Sequence, residues 1–181
     1  MKNLGGLCVK TSSYQTLFMI IKATEKDIPT IQELAQKSWK SAYADILQQE
    51  QIDYMLDLMY SESTLKSHFE NPNYQYYLVE EANVFLGFAG FEFHNEPQTT
   101  KLHRIYFLKE AQGKGLGKKA LEFIKTETEK SGDKRLILTV NKNNSAKNFY
   151  ESQGFKIYQE KILEVGNGYV MDDYLMAFVF E

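Results

Sequence analysis

The segment Leu108-Lys109-Glu110-Ala111-Gln112-Gly113-Lys114-Gly115-Leu116-Gly117-Lys118-Lys119-Ala120 brings together the residue types that hold an anion. Glycine lets a backbone approach a ligand closely and take conformations that other residues avoid. The first N–H groups of a helix have no partner inside it, and their partial positive charge suits a phosphate. Lys114, Lys118 and Lys119 add full charges. Three phosphate-loop patterns compete here. A Walker loop needs a glycine five residues before its Gly-Lys pair and Ser or Thr after it. Gln112 and Lys119 stand at those positions, so the match fails twice. A dinucleotide fingerprint needs Gly-x-Gly-x-x-Gly, and Gly113-x-Gly115-x-Gly117 is one residue short. The pattern Gln/Arg-x-x-Gly-x-Gly/Ala is met in full by Gln112, Gly115 and Gly117. The plain alternative is a glycine-rich turn before an amphipathic helix. A strand before, a helix after and the lysine cluster favour a phosphate-binding loop.

The flanking elements follow from periodicity and breakers. Met19–Thr24 reads as a strand. Asp27 and Pro29 then open a helix that carries Ile31, Leu34, Ala35 and Ser38 to about Tyr43. Gln51–Tyr60 is helical, and Ser61 caps a short helix that Asn71-Pro72-Asn73 stops. Tyr74–Glu81 and Val84–His94 form a hairpin, followed by a strand over Lys101–Leu108. The helix over Gly115–Ser131 bears the stripe Leu116, Ala120, Phe123 and Ile124. Arg135–Val140 is a buried strand, Ser145–Gln153 a short helix, and Phe155–Val165 and Tyr169–Phe180 are two last strands. The order β-ααα-β-β-β-α-β-α-β-β is mixed α/β without regular alternation, which excludes a doubly wound sheet.

The bulk numbers suit one globular domain: 181 residues, 43% hydrophobic and 25% charged. A formal net charge of -3 with no basic run argues against nucleic acid as a partner. No apolar stretch approaches ~18 residues, so no membrane span is expected. Residues 1–18 lack a clear period and are expected to be a poorly ordered extension before a domain at 19–181. They carry the single cysteine, Cys8, so no internal disulfide can form, and a cytoplasmic location is expected. His68, His94 and His103 are not spaced as metal ligands.

Over about Met19 to Phe180 the sequence resembles the GNAT superfamily of N-acetyltransferases. The likeness rests on Gln112–Gly117, on Asn143-Asn144-Ser145-Ala146-Lys147-Asn148-Phe149-Tyr150-Glu151-Ser152-Gln153-Gly154-Phe155, and on the element order. Residues 39–47 and 166–174 look like a bacterial branch that includes polyamine acetyltransferases. The resemblance implies a single α+β domain whose mostly antiparallel sheet is flanked by helices and splays between its fourth and fifth strands. Acetyl-coenzyme A would lie in the gap as co-substrate. Ile105, Tyr106 and Phe107 would offer backbone to the pantetheine arm, and Gln112, Gly113, Lys114, Gly115, Leu116, Gly117 and Lys118 would hold the pyrophosphate. Asn143 or Asn144 would touch the pantetheine or simply cap a helix. Tyr150 would give a proton to the departing thiolate, or pack beside Phe149.

The base that receives the amine's proton is open. Many relatives have an acidic residue near the start of the fourth strand, where this chain has Lys101; Ser152 also replaces a common lysine. The candidates are Glu92 and His103. His103 shares strand parity with Ile105 and Phe107, so it either packs or lines the cleft; a water relay is the alternative. Trp39 and Tyr43 can wall an acceptor pocket or belong to the core, and Asp172 and Asp173 can attract a cationic amine or stay solvated. The activity implied is acetyl transfer to a primary amine of a small molecule or peptide by direct attack in a ternary complex. The alternative is a non-catalytic module that binds or senses acyl-coenzyme A, which has no need of an acid at Tyr150. Tyr174–Phe180 is apolar on both strand faces. It lies either at an edge, where it pairs two chains into a homodimer, or inside its own sheet.

Overall fold

The computed structural model describes residues 18–181. The expected extension lies outside the described residues except for Phe18, which opens the first strand, and so does Cys8. The strands are β1 (Phe18–Lys22), β2 (Tyr74–Glu81), β3 (Val84–Glu96), β4 (Thr99–Phe107), β5 (Arg135–Asn141), β6 (Lys156–Gly166) and β7 (Tyr169–Val179). The helices are α1 (Ile28–Ala42), α2 (Gln49–Tyr60), α3 (Glu62–Glu70), α4 (Leu116–Lys130) and α5 (Ala146–Ser152). They form one mixed α/β domain around a seven-stranded sheet of order β1-β2-β3-β4-β5-β7-β6. Every neighbouring pair is antiparallel except β4 and β5.

Alternation along the strands feeds two cores. On one face Ile31, Leu34, Ala35 and Trp39 of α1 and Ile52 and Met55 of α2 pack on Tyr76, Leu78 and Phe88. On the other, Leu121 and Ile124 of α4 and Tyr150 of α5 pack on Leu136, Leu138, Val140 and Met176. The α4 stripe is turned slightly from the expected one: Leu121 is fully buried, and Phe123 sits at the margin, edge-on to Tyr77 at 4.8 Å.

Two expectations change. β4 begins at Thr99, not Lys101, because Thr99 and Thr100 are buried and paired with β5. β7 is not an edge strand. It runs between β5 and β6: Tyr174, Met176, Phe178 and Phe180 join the core under α4, whereas on the other face Ala177 is buried and Val179 is exposed. The edges are β1 and β6, and β6 is exposed along most of its length.

Gly87 shows how tightly β3 and β4 approach. A Cβ there would stand 2.6 Å from the Tyr106 carbonyl oxygen and 2.4 Å from the Phe107 ring. The backbone oxygen cannot yield without moving β4. Gly87→Ala is expected to lower stability by about 1–3 kcal/mol, the usual cost of overpacking, as a fall in the urea midpoint at unchanged slope.

Candidate active site

β4 and β5 are held together by only the register pairs Thr99↔Arg135, Thr100↔Leu136, Lys101↔Ile137 and Leu102↔Leu138. Beyond Leu102 they part, and β5 continues along β7 to Asn141↔Asp173. The gap is a cleft of ≈ 180 Å³ lined by His103, Ile105, Tyr106 and Phe107 from β4, Leu138 and Val140 from β5, and Tyr43, Asn144, Ala146 and Tyr150. A second cavity of ≈ 150 Å³, between β5, β7, α1 and α2, shares Tyr43, His103, Tyr106 and Thr139 with it. A wider surface groove of ≈ 710 Å³ beside α1 and α3 shares no lining residue with either.

The register of β3 on β4 steps from Phe91↔Leu102 to Gly90↔Arg104, so His103 is the extra residue of a bulge. The bulge undoes the parity expectation. Ile105 faces the core under α4, whereas His103 stacks on Tyr74, a residue of the opposite core, with ring centroids 4.9 Å apart. His103 Nε2 is 3.0 Å from Glu92 Oε2. Burial opposes the Glu92 charge, but hydrogen bonds from His103, Asn71 and Asn95 outweigh it and lower its pKa. Burial, then the Lys101 charge, pulls His103 down to about 4 against the attraction of Glu92. The ring is therefore neutral near pH 7. The carboxylate can only accept, so the proton sits on Nε2 and Nδ1 keeps its lone pair.

Tyr150 is buried on α5, edge-on to Phe155 at 5.8 Å and tilted on Phe149 at 5.4 Å. Burial, with the nearby Tyr43 phenol, pushes its pKa up, so its hydroxyl keeps its proton. Asn144 lines the cleft and also caps: its Oδ1 accepts from the Ala146 N–H at 2.9 Å. Asn143 is exposed and lines neither cavity.

The glycine-rich loop follows β4 through a 3-10 turn, Lys109–Ala111. Gly113 and Gly115 have φ of +74° and +71°, and a Cβ at either would meet nothing within 4 Å. Gly115 is the N-cap of α4 and no side chain caps the helix, so the N–H groups of Leu116, Gly117 and Lys118 open onto free space. The Leu116 side chain is buried, leaving only its backbone to the loop. Gln112 and Lys118 are exposed; Lys114 is held 2.6 Å from Glu81, and Lys119 lies over the Phe18 ring. A Cβ on Gly117 would stand 3.7 Å from the Phe107 ring, so the helix start adjoins the cleft wall. Open space over uncapped N–H groups fits a pyrophosphate, and the freed edge of β4 fits an amide-bearing arm.

The acetyltransferase (GNAT) family model matches residues 28–155. The chain belongs to the GNAT family of acetyltransferases. The PaiA N-acetyltransferase of Thermoplasma acidophilum, solved in complex with coenzyme A, superposes with a TM-score of 0.77 at 25% identity, over 91% of this chain and 99% of that one. The ribosomal-protein-S18-alanine N-acetyltransferase of Escherichia coli superposes with a TM-score of 0.68 at 22% identity, over 91% and 94%. An uncharacterized N-acetyltransferase in the pepI 3′ region of Lactobacillus delbrueckii subsp. lactis is 24% identical over 155 residues, 82% of this chain and 90% of that one.

In this GNAT acetyltransferase the structure brings Tyr150, His103, Ile105, Tyr106, Phe107 and Asn144 to one cleft, with Glu92 behind His103. Asp172 and Asp173 separate, as successive strand residues must. Asp172 turns to Lys142 at 2.8 Å, whereas Asp173 lines the second cavity. Residues without a signal in the sequence also enter: Thr139, Asn141, Met55 and Met59 line that cavity. Arg104, buried under Tyr60, bonds the Met59 carbonyl at 3.1 Å and the Tyr74 hydroxyl.

Gly115 allows a clean test of the loop. Valine would strain the left-handed backbone, but asparagine tolerates it. Gly115→Asn is expected to change stability by less than about 1 kcal/mol while its side chain fills the space over the helix start. Affinity for acetyl-coenzyme A should fall at least about tenfold, ~1.4 kcal/mol. Calorimetric titration beside a thermal melt checks both, and an unchanged affinity counts against the loop.

Proposed function

We propose that this acetyltransferase moves the acetyl group of acetyl-coenzyme A to a primary amine of a small molecule or peptide, by direct attack in a ternary complex. The observation that carries this is one cleft with a protonated phenol, Tyr150, and a neutral imidazole, His103, on its walls. The pyrophosphate lies on the N–H groups that open α4, with Gly113 and Gly115 leaving room for it. The pantetheine arm pairs with the freed edge of β4 at Ile105–Phe107 and passes Asn144. Exposure of Asn143 argues for giving that contact to Asn144 alone.

Acyl transfer from a thioester to an amine sets two proton problems: the amine must be neutral to attack, and the departing sulfur must take a proton. The Tyr150 hydroxyl serves the sulfur. His103 takes the amine's proton on Nδ1, directly or through water, while Glu92 holds the ring by Nε2 and stabilises the cation that forms, as in other base–carboxylate pairs. Acceptors are small basic amines, on the likeness of residues 39–47 and 166–174 to the branch that includes polyamine acetyltransferases.

Thiol release from acetyl-coenzyme A across polyamines, amino acids and peptides tests the activity. Tyr150→Phe keeps the ring and its packing, so coenzyme affinity should hardly change. Turnover should drop by roughly 10²–10⁴-fold, the range of a general acid, in kcat and kcat/KM together. Wild-type turnover in the variant would make Tyr150 a packing residue.

The enzyme works in the cytoplasm as a homodimer in this reading; no described helix is long and apolar enough to cross a membrane. The second copy would cover β6, where Ile157, Tyr158 and Ile162 are 37%, 43% and 68% exposed. Sedimentation at micromolar concentration is expected to give twice the chain mass, and a monomer mass would remove the dimer.

A further inference from the structure

The cavity behind the cleft contains a carboxyl group that the protein leaves half unpaired. Asp173, 7% exposed, lies on β7 opposite Asn141, and its Oδ1 has no hydrogen-bond partner. Lys161, its register partner on β6, is exposed and leaves that oxygen unpaired, and Lys142, which follows β5, is taken by Asp172 and Glu160 at 2.8 Å each. Burial, then repulsion by Asp172, raises the Asp173 pKa, and only the Asn141 amide opposes them. A carboxylate in this position is costly unless a cation joins it.

The walls are built to receive one. Trp39 lies 4.5 Å from Tyr43 and 5.7 Å from Tyr106, centroid to centroid, and all three rings line the cavity that Asp173 closes. Aromatic faces attract cations, more strongly where water is excluded. The rest of the lining is largely thioether and aliphatic, from Met55, Met59 and Met171 among others. The β6–β7 hairpin is fastened over the cavity by Tyr54, which donates to the Val165 carbonyl at 3.0 Å, and by Gln51, which donates to the Val170 carbonyl at 3.1 Å. The hydroxyls of Tyr43 and Tyr106, 3.4 Å apart, stand between this cavity and the cleft that holds Tyr150.

The nitrogen that attacks a thioester must be neutral, and an adjacent carboxylate would hold it protonated. The cation at Asp173 is therefore a different one. We propose that Asp173 and the rings of Trp39, Tyr43 and Tyr106 form a subsite for a second, non-reacting ammonium of the acceptor. That selects amines with two positive ends joined by a short unbranched chain. The inference rests on the acyl-transfer reading above. An acceptor with a carboxylate at its far end is rejected by like charge.

Three probes of equal chain length test this: 1,4-diaminobutane, 1-aminobutane and 4-aminobutanoate. On the wild-type enzyme with acetyl-coenzyme A, thiol-release kcat/KM is expected to be at least tenfold higher for the diamine than for the monoamine, and lowest for 4-aminobutanoate. Asp173→Asn should raise the diamine KM at least tenfold, with the loss in KM and not in kcat, and bring the diamine-to-monoamine ratio towards one. Equal wild-type kcat/KM for diamine and monoamine would overturn the subsite, and needs no variant. A variant that lost kcat for both amines alike would also overturn it, because Asp173 would then be the base. Calorimetric titration of 1,4-diaminobutane into protein saturated with coenzyme A separates the two readings. Diamine binding that Asp173→Asn abolishes, without turnover of any amine, would sink the transfer reading and keep the subsite. Turnover with a diamine KM that Asp173→Asn leaves alone would do the reverse.

Discussion

The site depends on the parting of two strands that begin as neighbours. Parallel pairing between β4 and β5 stops at Leu102↔Leu138, and the next residue, His103, is a bulge on the β3 side. A bulge bends its strand and raises the local twist. β5 stays paired with β7 along its whole length. Its pairing with β4 ends where the β4 bulge begins, so a gap opens. The backbone groups on the open edge of β4 need partners, and an extended ligand bearing amides can supply them. The same bulge aims His103 across to Glu92.

Burial sets the protonation states around that gap. Tyr43, Tyr60, Tyr74, Tyr76, Tyr106 and Tyr150 all have raised pKa values, chiefly from desolvation, and stay neutral. His68, stacked on Tyr74 at 4.4 Å, is pulled down to about 4 by burial and by the Arg104 charge. Arg104 is the fixed cation of this region, with its guanidinium 5.1 Å from the Tyr60 ring centroid. It ties β4, just past the bulge, to the end of α2. The cleft is thus lined mostly by neutral groups, with the Arg104 cation among them. The carboxyl groups stand behind it, Glu92 behind His103 and Asp173 behind Tyr43.

The helix layers divide the work. α4 and α5 lie on one face and bring the uncapped N–H groups and Tyr150. α1 and α2 lie on the other with the β6–β7 hairpin, and bring Trp39, Tyr43 and the second cavity. The two sides meet only where the sheet is open. The open stretch of the sheet is therefore lined from both faces, and the phenols of Tyr43 and Tyr106 border both cavities.

The element order and the glycine-rich turn into α4 were legible in the sequence because both are local. Apolar spacing of 3.6 or 2 marks helices and strands. The loop's requirement for positive φ selects glycine at 113 and 115 wherever the chain happens to fold. The motif around Tyr150 was legible for the same reason. Strand order was not: Tyr174–Phe180 reads the same at an edge or inside a sheet, and only its pairing with both β5 and β6 decides between them. Nor was the face of His103, since one extra residue in β4 reverses the parity on which a period of two relies. Asp172 and Asp173 are adjacent and alike as letters. Tertiary structure gives one of them a lysine and leaves the other buried with one oxygen unpaired, because successive side chains of a strand enter different environments.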